Sequence, residues 1–269
     1  MAISIYTQDE IKKLREGGAL LSRILGDLAR KAGPGVTTQE LDEYAEAEMR
    51  AAGGEPAFKG YAAGGNVPFP GTVCISLNDE VVHAPPVPSR ILKDGDLLKM
   101  DIGLRYEGLV TDMAITVPVG TVSDLTWKLA YVTQQSMFAG VDAALAGNDV
   151  RDIGRAVQPI VERAGFGVVR DLVGHGVGHE VHEDPKVPNY DDPDMPRVKL
   201  REGMVIAIEP MVNARSWEVR LAPDEWTILT VDHSLSSHFE VTVAIAEEGP
   251  EILTPQPIMI RKDGGFDFV

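Results

Sequence analysis

The chain reads as an α+β protein of two pseudo-symmetric halves, about 1–120 and 121–269, that build one curved antiparallel sheet covered by helices. Three observations predict this. A pair of helix-like segments followed by strand-like segments occurs twice in the same order. The turn Lys93-Asp94-Gly95 stands ahead of Asp101 as Arg201-Glu202-Gly203 stands ahead of Glu209, and the run 50–54 (RAAGG) is echoed at 163–167 (RAGFG). The strands that carry the carboxylates alternate apolar and charged residues, so one sheet face is left for the helices and the other for the charges.

In the first half, Thr7 with Glu10 makes a capping box. Ile11, Leu14, Gly18, Leu21, Leu25 and Leu28 then recur at helical spacing until Ala32-Gly33-Pro34-Gly35 ends the helix. Thr37 with Glu40 opens a second helix through Leu41, Tyr44, Ala45 and Met49 to Gly53-Gly54. Strands are expected at 74–77 and 81–83, then at 97–105 and 109–117 with a turn near Tyr106-Glu107-Gly108. In the second half, helices over about 123–146 and 149–164 precede a new group of strands, and Pro159 is expected to kink the second of them.

Leu98, Met100, Ile102 and Leu104 alternate with Asp101, and Phe239, Val241, Val243 and Ile245 alternate with Glu240. Asp101 and Asp112 flank the hairpin turn and are expected as direct cross-strand neighbours. Asp101, Asp112, Glu209 and Glu240 all sit inside apolar runs, where an unpaired charge is costly or is titrated away. Hard oxygen ligands with an imidazole fit a divalent metal site, carboxylates able to bridge favour two ions over one, and His175 in GHGVG is one candidate imidazole. His83 in NDEVVHAPP and His182 in HEVHEDP complete the set of candidate chemical groups.

The composition narrows the class. With 269 residues and 44% hydrophobic content a single compact domain is expected. The chain has no apolar run near the ~18 residues of a membrane span, and MAISIYTQDE lacks the basic start and apolar stretch of a secretory signal. The one cysteine, Cys74, excludes an intramolecular disulfide and agrees with a reducing cytoplasm. A formal charge of -16 disfavours non-specific nucleic-acid binding, which needs clustered Lys and Arg.

Several stretches together carry a specific resemblance: PGVTTQELD, CISLNDEVVHAPP, KDGDLLKMDIG, VVRDLVGHGVGHEVHEDPKVPNY, LREGMVIAIEPMVN and DEWTILTVDHSLSSHFEVTV, with the closing EILT. Over essentially its whole length the chain resembles the type I methionine aminopeptidases of the pita-bread (creatinase/aminopeptidase-like) fold, in their short bacterial form. The resemblance implies two divalent ions, of Co, Mn, Fe or Zn, held by Asp101, Asp112, His175, Glu209 and Glu240, with Asp112 and Glu240 bridging and Asp101 chelating one ion. It implies that Glu209 manages the proton of the attacking water, that His182 meets the scissile carbonyl oxygen and that His83 meets the leaving nitrogen. Phe58, Tyr61, Cys74, Val181 and Trp226 would form the methionine pocket. The implied partners are N-terminal Met peptides and nascent chains with a small second residue, with transient ribosome association, a monomeric enzyme, no membrane and no specific nucleic acid.

Against the family pattern, the stretch 62–68 (AAGGNVP) is longer than usual and suggests a mobile rim loop, and Val181 stands where some relatives have an aromatic residue. His238 and Val241 stand where the family usually has Gln and His around the last glutamate. His238 shares the strand face of Glu240, so a contact to that ligand and plain solvent exposure are both open. His179 is read as a surface or packing residue and His233 as a loop residue. Two other readings compete: a proline-specific aminopeptidase or prolidase relative, and a metal-free pita-bread binding module. The first usually has a sizeable additional N-terminal domain, and the second would have lost ligands that are all present here.

Overall fold

The two halves repeat each other down to individual backbone hydrogen bonds. The computed structural model describes residues 3–62 and 67–269. In the first half, helices α1 (Gln8–Lys31) and α2 (Thr38–Ala51) precede strands Val73–Leu77, Leu97–Tyr106 and Leu109–Pro118. In the second, α3 (Asp124–Ala143) and α4 (Val150–Arg163) precede strands Gly174–Gly176, Val205–Ile208 and Val241–Ala246. Gly35 donates to the Leu92 carbonyl and Leu92 donates back to Val36, as Gly147 donates to Leu200 and Leu200 to Asn148. The two predicted turns are matched in the same way. Asp96 donates to Lys93 and Gly95 to Val119; Met204 donates to Arg201 and Gly203 to Ile245.

Each helix start is written in its sequence. Thr7, Thr37 and Asp149 close capping boxes with Glu10, Glu40 and Asp152, and Ser123 accepts the Thr126 N–H. Such a cap is worth about 1 kcal/mol. Pro159 lies inside α4. Helix α1 packs on the hairpin of the first half, and Gly18 lets it come close, since a Cβ there would run into the Leu253 carbonyl.

The curve is made of two sheets. Glu55–Pro56, Val73–Leu77, Leu97–Tyr106 and Leu109–Pro118 form one; Gly174–Gly176, Glu183–Val187, Val205–Ile208, Val241–Ala246 and Gly249–Ile252 form the other. They meet where Ala114 and Glu240 form an antiparallel bridge. Beside it a side chain replaces the ladder: the Thr242 hydroxyl accepts from the Asp112 N–H at 3.0 Å and donates to the Asp112 carbonyl at 2.8 Å. One apolar cluster runs through both halves, from Leu21, Leu25 and Met49 through Ile75 and Met100 to Val157, Ile206, Phe239 and Val243. Each such side chain contributes about 1.5–3 kcal/mol on burial, so the two halves hold each other at a fixed mutual position.

The hairpin register corrects one expectation. Its turn is the two-residue Glu107-Gly108, with φ of 47° and 84°, between the paired Tyr106 and Leu109. Positive φ at both positions is the type I′ geometry that suits twisted strands. The centre therefore lies further along than a turn beginning at Tyr106 would put it. Asp101 pairs with Ala114 and Asp112 with Gly103, so the two aspartates are diagonal neighbours on one face rather than direct opposites. Among the described residues, no helix is long and apolar enough to cross a membrane.

Candidate metal centre

Four carboxylates and a histidine converge where the two sheets meet. Asp101 and Asp112 come from the interior of the first hairpin, and Gly103 opposite Asp112 leaves room for the Phe58 ring, which a Cβ there would strike. Glu209 follows strand Val205–Ile208 and Glu240 precedes Val241–Ala246. The register that pairs Val241 with Ile208 brings these two glutamates opposite each other at the strand ends. His175 lies in the short strand Gly174–Gly176 beside them. All five are between 2% and 9% exposed, and all five line one cavity with His83 and His182.

The electrostatics of this cluster demand a cation. Burial raises the pKa of Asp101, Asp112, Glu209 and Glu240, and for Asp112 and Glu240 the neighbouring carboxylates push it further. Among the described residues, the ion pairs reaching these groups come only from histidines. Those histidines resist protonation. Burial, then the neighbouring His182, holds His175 down at about 3, and burial holds His83 and His238 at about 4. Charged carboxylates beside neutral imidazoles are the donor set of a divalent transition metal.

The hydrogen bonds agree. Among the described residues, Oδ1 of Asp101 and Oδ1 of Asp112 are buried without a hydrogen-bond partner, a costly state for a carboxylate unless a cation meets it. His175 Nδ1 lies 2.9 Å from the Gly176 carbonyl, which can only accept. The proton therefore sits on Nδ1, and Nε2, 3.4 Å from Glu209 Oε1, presents its lone pair. Candidate ligand atoms of Asp112, His175 and Glu240 lie within 4.8 Å of one another, as do those of Glu209, His238 and Glu240. The residues fit a bound metal.

The chain matches the model of metallopeptidase family M24 over residues 12–247. The chain belongs to this family. Within it, the sequence is 45% identical over 252 residues to the methionine aminopeptidase of Clostridium acetobutylicum, covering 94% of this chain and 98% of that protein. It is also 45% identical over 249 residues to methionine aminopeptidase 1 of Bacillus subtilis, covering 92% and 97%. The crystal structure of methionine aminopeptidase from Thermotoga maritima superposes with a TM-score of 0.89 at 39% identity, over 94% of this chain and 99% of that one. A prolidase from Pyrococcus horikoshii shares the fold alone, with a TM-score of 0.74 at 23% identity, over 93% of this chain and 63% of that one. These likenesses establish the pita-bread fold and a divalent-metal hydrolase of the methionine aminopeptidase family, and they do not favour the proline-specific reading or the metal-free module.

In this M24 peptidase the cavity beside the carboxylates has a volume of about 210 Å³. That is the scale of one side chain, below the ~300–1,000 Å³ of sites for drug-sized ligands. Phe58, Tyr61, Cys74 and Trp226 line it as the sequence predicts, and Phe69, Leu221, Glu225 and Ile228 join them. Phe69 meets the Trp226 ring edge-on at 5.2 Å. Val181 is not on the wall: it is 3% exposed and packs behind it in the apolar cluster of Phe58, Phe69 and Cys74. Cys74 stays a thiol, since burial and then Asp101 and Asp112 push its pKa up, which argues against a nucleophile.

His182 opens to the cavity, and the pocket walls around it lower its pKa. Its Nδ1 lies 2.6 Å from the Tyr61 hydroxyl, and its ring meets His175 edge-on at 4.4 Å. The adjoining turn is held from far away. Ser4 and Tyr6 donate to the Glu183 carboxylate at 2.6 and 2.9 Å, and the same carboxylate accepts the N–H groups of His179 and Glu180. His83 sits at φ 62°, a left-handed conformation uncommon for a histidine. His179 is exposed against Tyr6, and His233 is an exposed loop residue bonded to Asp79. His238 is 1% exposed, so the solvent-exposed reading fails, and its ring lies against Glu209, 3.5 Å from Oε2, rather than against the Glu240 that strand parity suggested. Of the 62–68 stretch, residues 63–66 lie outside the described residues.

Proposed function

We propose that this chain removes the N-terminal methionine from peptides and nascent proteins whose second residue is small, using two divalent ions held by Asp101, Asp112, His175, Glu209 and Glu240. The observation that carries this reading is the single cavity in which those five groups meet His83, His182 and an apolar wall of one-side-chain size. When bound, the ions supply a nucleophile from water near neutral pH and Lewis-acid polarisation of the scissile carbonyl.

The rest is the work of side chains. Phe58, Tyr61, Phe69, Cys74 and Trp226 take the methionine side chain, whose flexible thioether suits such a wall. Glu209 accepts the proton of the attacking water. The Tyr61 hydroxyl lies 2.6 Å from Nδ1, and in the tautomer in which it donates there, His182 holds its proton on Nε2 and donates it to the carbonyl oxygen as charge develops. His83 meets the leaving nitrogen. The chain would act as one catalytic domain and as a monomer, in a reducing cytoplasm consistent with its one free, buried cysteine, with transient docking at the ribosome. The test is kcat/KM on Met-Ala-Ser against Met-Lys-Ser. A strong preference for Met-Ala-Ser is expected, and equal values would reject the small-residue rule.

A further inference from the structure

Glu209 stands between two imidazoles. Its Oε1 is 3.4 Å from His175 Nε2, and its Oε2 is 3.5 Å from His238 Nε2. Both separations are long for a hydrogen bond. They match another relation: two ligand atoms about 2.1 Å from one ion, at a tetrahedral angle, stand roughly 3.4 Å apart.

His238 has no other employment. It is 1% exposed, and among the described residues neither Nδ1 nor Nε2 has a hydrogen-bond partner. A neutral imidazole always carries one donor and one acceptor, so both are left unsatisfied in the interior, whichever nitrogen holds the proton. The backbone places it firmly, with His238 paired to Met211 and its carbonyl accepting from the Thr116 hydroxyl at 2.7 Å. Val241, on the other side of Glu240, is fully buried in the apolar core. Two donor triads thus share Glu240: one with Asp112 and His175, the other with Glu209 and His238.

We infer that His238 is a sixth protein ligand of the metal centre, so that each of the two ions has an imidazole of its own. This rests on the two-ion reading above. An additional nitrogen at the second ion shifts preference toward metals that favour imidazole over carboxylate alone.

The test loads the full chain with Zn(II), counts bound ions by elemental analysis and counts imidazoles per ion by X-ray absorption. Two ions with an average of one imidazole each is the expected result. Two ions with half an imidazole each would overturn the assignment while leaving the dinuclear reading intact. If only one ion binds, the dinuclear reading fails instead; two imidazoles on that ion would still support His238 as a ligand, and one would reject it. His238→Gln keeps a polar side chain able to hydrogen-bond Glu209, so it separates ligation from positioning. It should halve the imidazole count and weaken the second ion by about 10–100-fold or more in calorimetric titration. An unchanged imidazole count or an unchanged second affinity, in a variant whose circular dichroism matches the parent, would reject the inference.

Discussion

The two halves deliver a carboxylate pair to the same point by different means. The first half uses an unbroken hairpin, Leu97–Tyr106 with Leu109–Pro118, closed by a two-residue turn, and its aspartates sit diagonally in mid-strand. The second half uses strand ends: Glu209 and Glu240 face each other where Val205–Ile208 and Val241–Ala246 stop, and the chain between them makes a long excursion. That excursion carries Leu221, Glu225, Trp226 and Ile228 to the cavity and His238 to the carboxylates. A regular half fixes the frame, which leaves the other half free to build specificity. Side-chain length follows the same division, with short aspartates on the rigid ladder and longer glutamates at the strand ends.

Metal removal should break both halves' contribution at once, and it carries the largest expected effect. Stripping with a chelator should abolish peptidase activity, and Co(II), Mn(II) or Fe(II) should restore it. Full turnover in a preparation shown to be metal-free would end the metal mechanism.

Single histidines then separate the frame from the chemistry. His83→Ala should lower kcat by about 10²–10⁴, the range for a positioned proton-transfer group, and keep its metal. His175→Ala should lose metal and activity together. Metal analysis beside single-turnover rates distinguishes them, and an emptied site in His83→Ala would move that residue into the metal shell.

Stability against pH sharpens the contrast between carboxylates and imidazoles. In the stripped protein the carboxylate pKa values are raised on folding, so their contribution is complete at low pH and is lost as pH climbs through the folded values, about 8 for Glu209. The histidine values are lowered on folding, so stability recovers as pH rises toward the ordinary 6.5 and is flat beyond it. Above that point the raised carboxylates dominate, offset in part by Lys99, whose pKa burial lowers to about 7 so that its proton is lost on folding. Each extra proton held by the folded state then costs about 1.4 kcal/mol per pH unit. Thermal melts should show the stripped protein losing stability between pH 6.5 and about 8, with the metal-loaded protein protected. A stripped protein that melts higher at the upper pH would contradict the burial of these groups.

The smallest effects test the frame itself. Gly108→Ala, at φ 84°, should destabilise by about 1 kcal/mol through the turn. Trp226→Ala, out on the excursion, should instead raise KM for Met-Ala-Ser with metal content unchanged. Loss of metal in Trp226→Ala would show that the second half's excursion also supports the centre.

Sequence alone reveals the caps at Thr7, Thr37 and Asp149, the repeated turns and all five carboxylate and histidine candidates, because each rests on a local signal. Register is not local in that sense. Placing the turn at Glu107-Gly108 shifts the pairing of Asp101 and Asp112 from opposite to diagonal, and no residue pattern within the strands distinguishes the two. The fate of His238 depended on what the rest of the fold puts around it. Lys99 is similar: strand parity does not foretell that it is 1% exposed, with Nζ donating to the Asn78 carbonyl at 2.8 Å and its pKa pushed by burial down to about 7. Val181 packs with Phe58, Phe69 and Cys74 rather than lining the cavity, a side-chain direction that the family motif, which records only identity, does not carry.

The bond from Ser4 and Tyr6 to Glu183 joins residues separated by 179 and 177 positions. A chain made from its N-terminus therefore exposes Tyr6 early and waits through the whole first half, α3 and α4 for the carboxylate that receives it. The turn that presents His182 gains its brace only once Glu183 has been made, after the strands that carry Asp101 and Asp112.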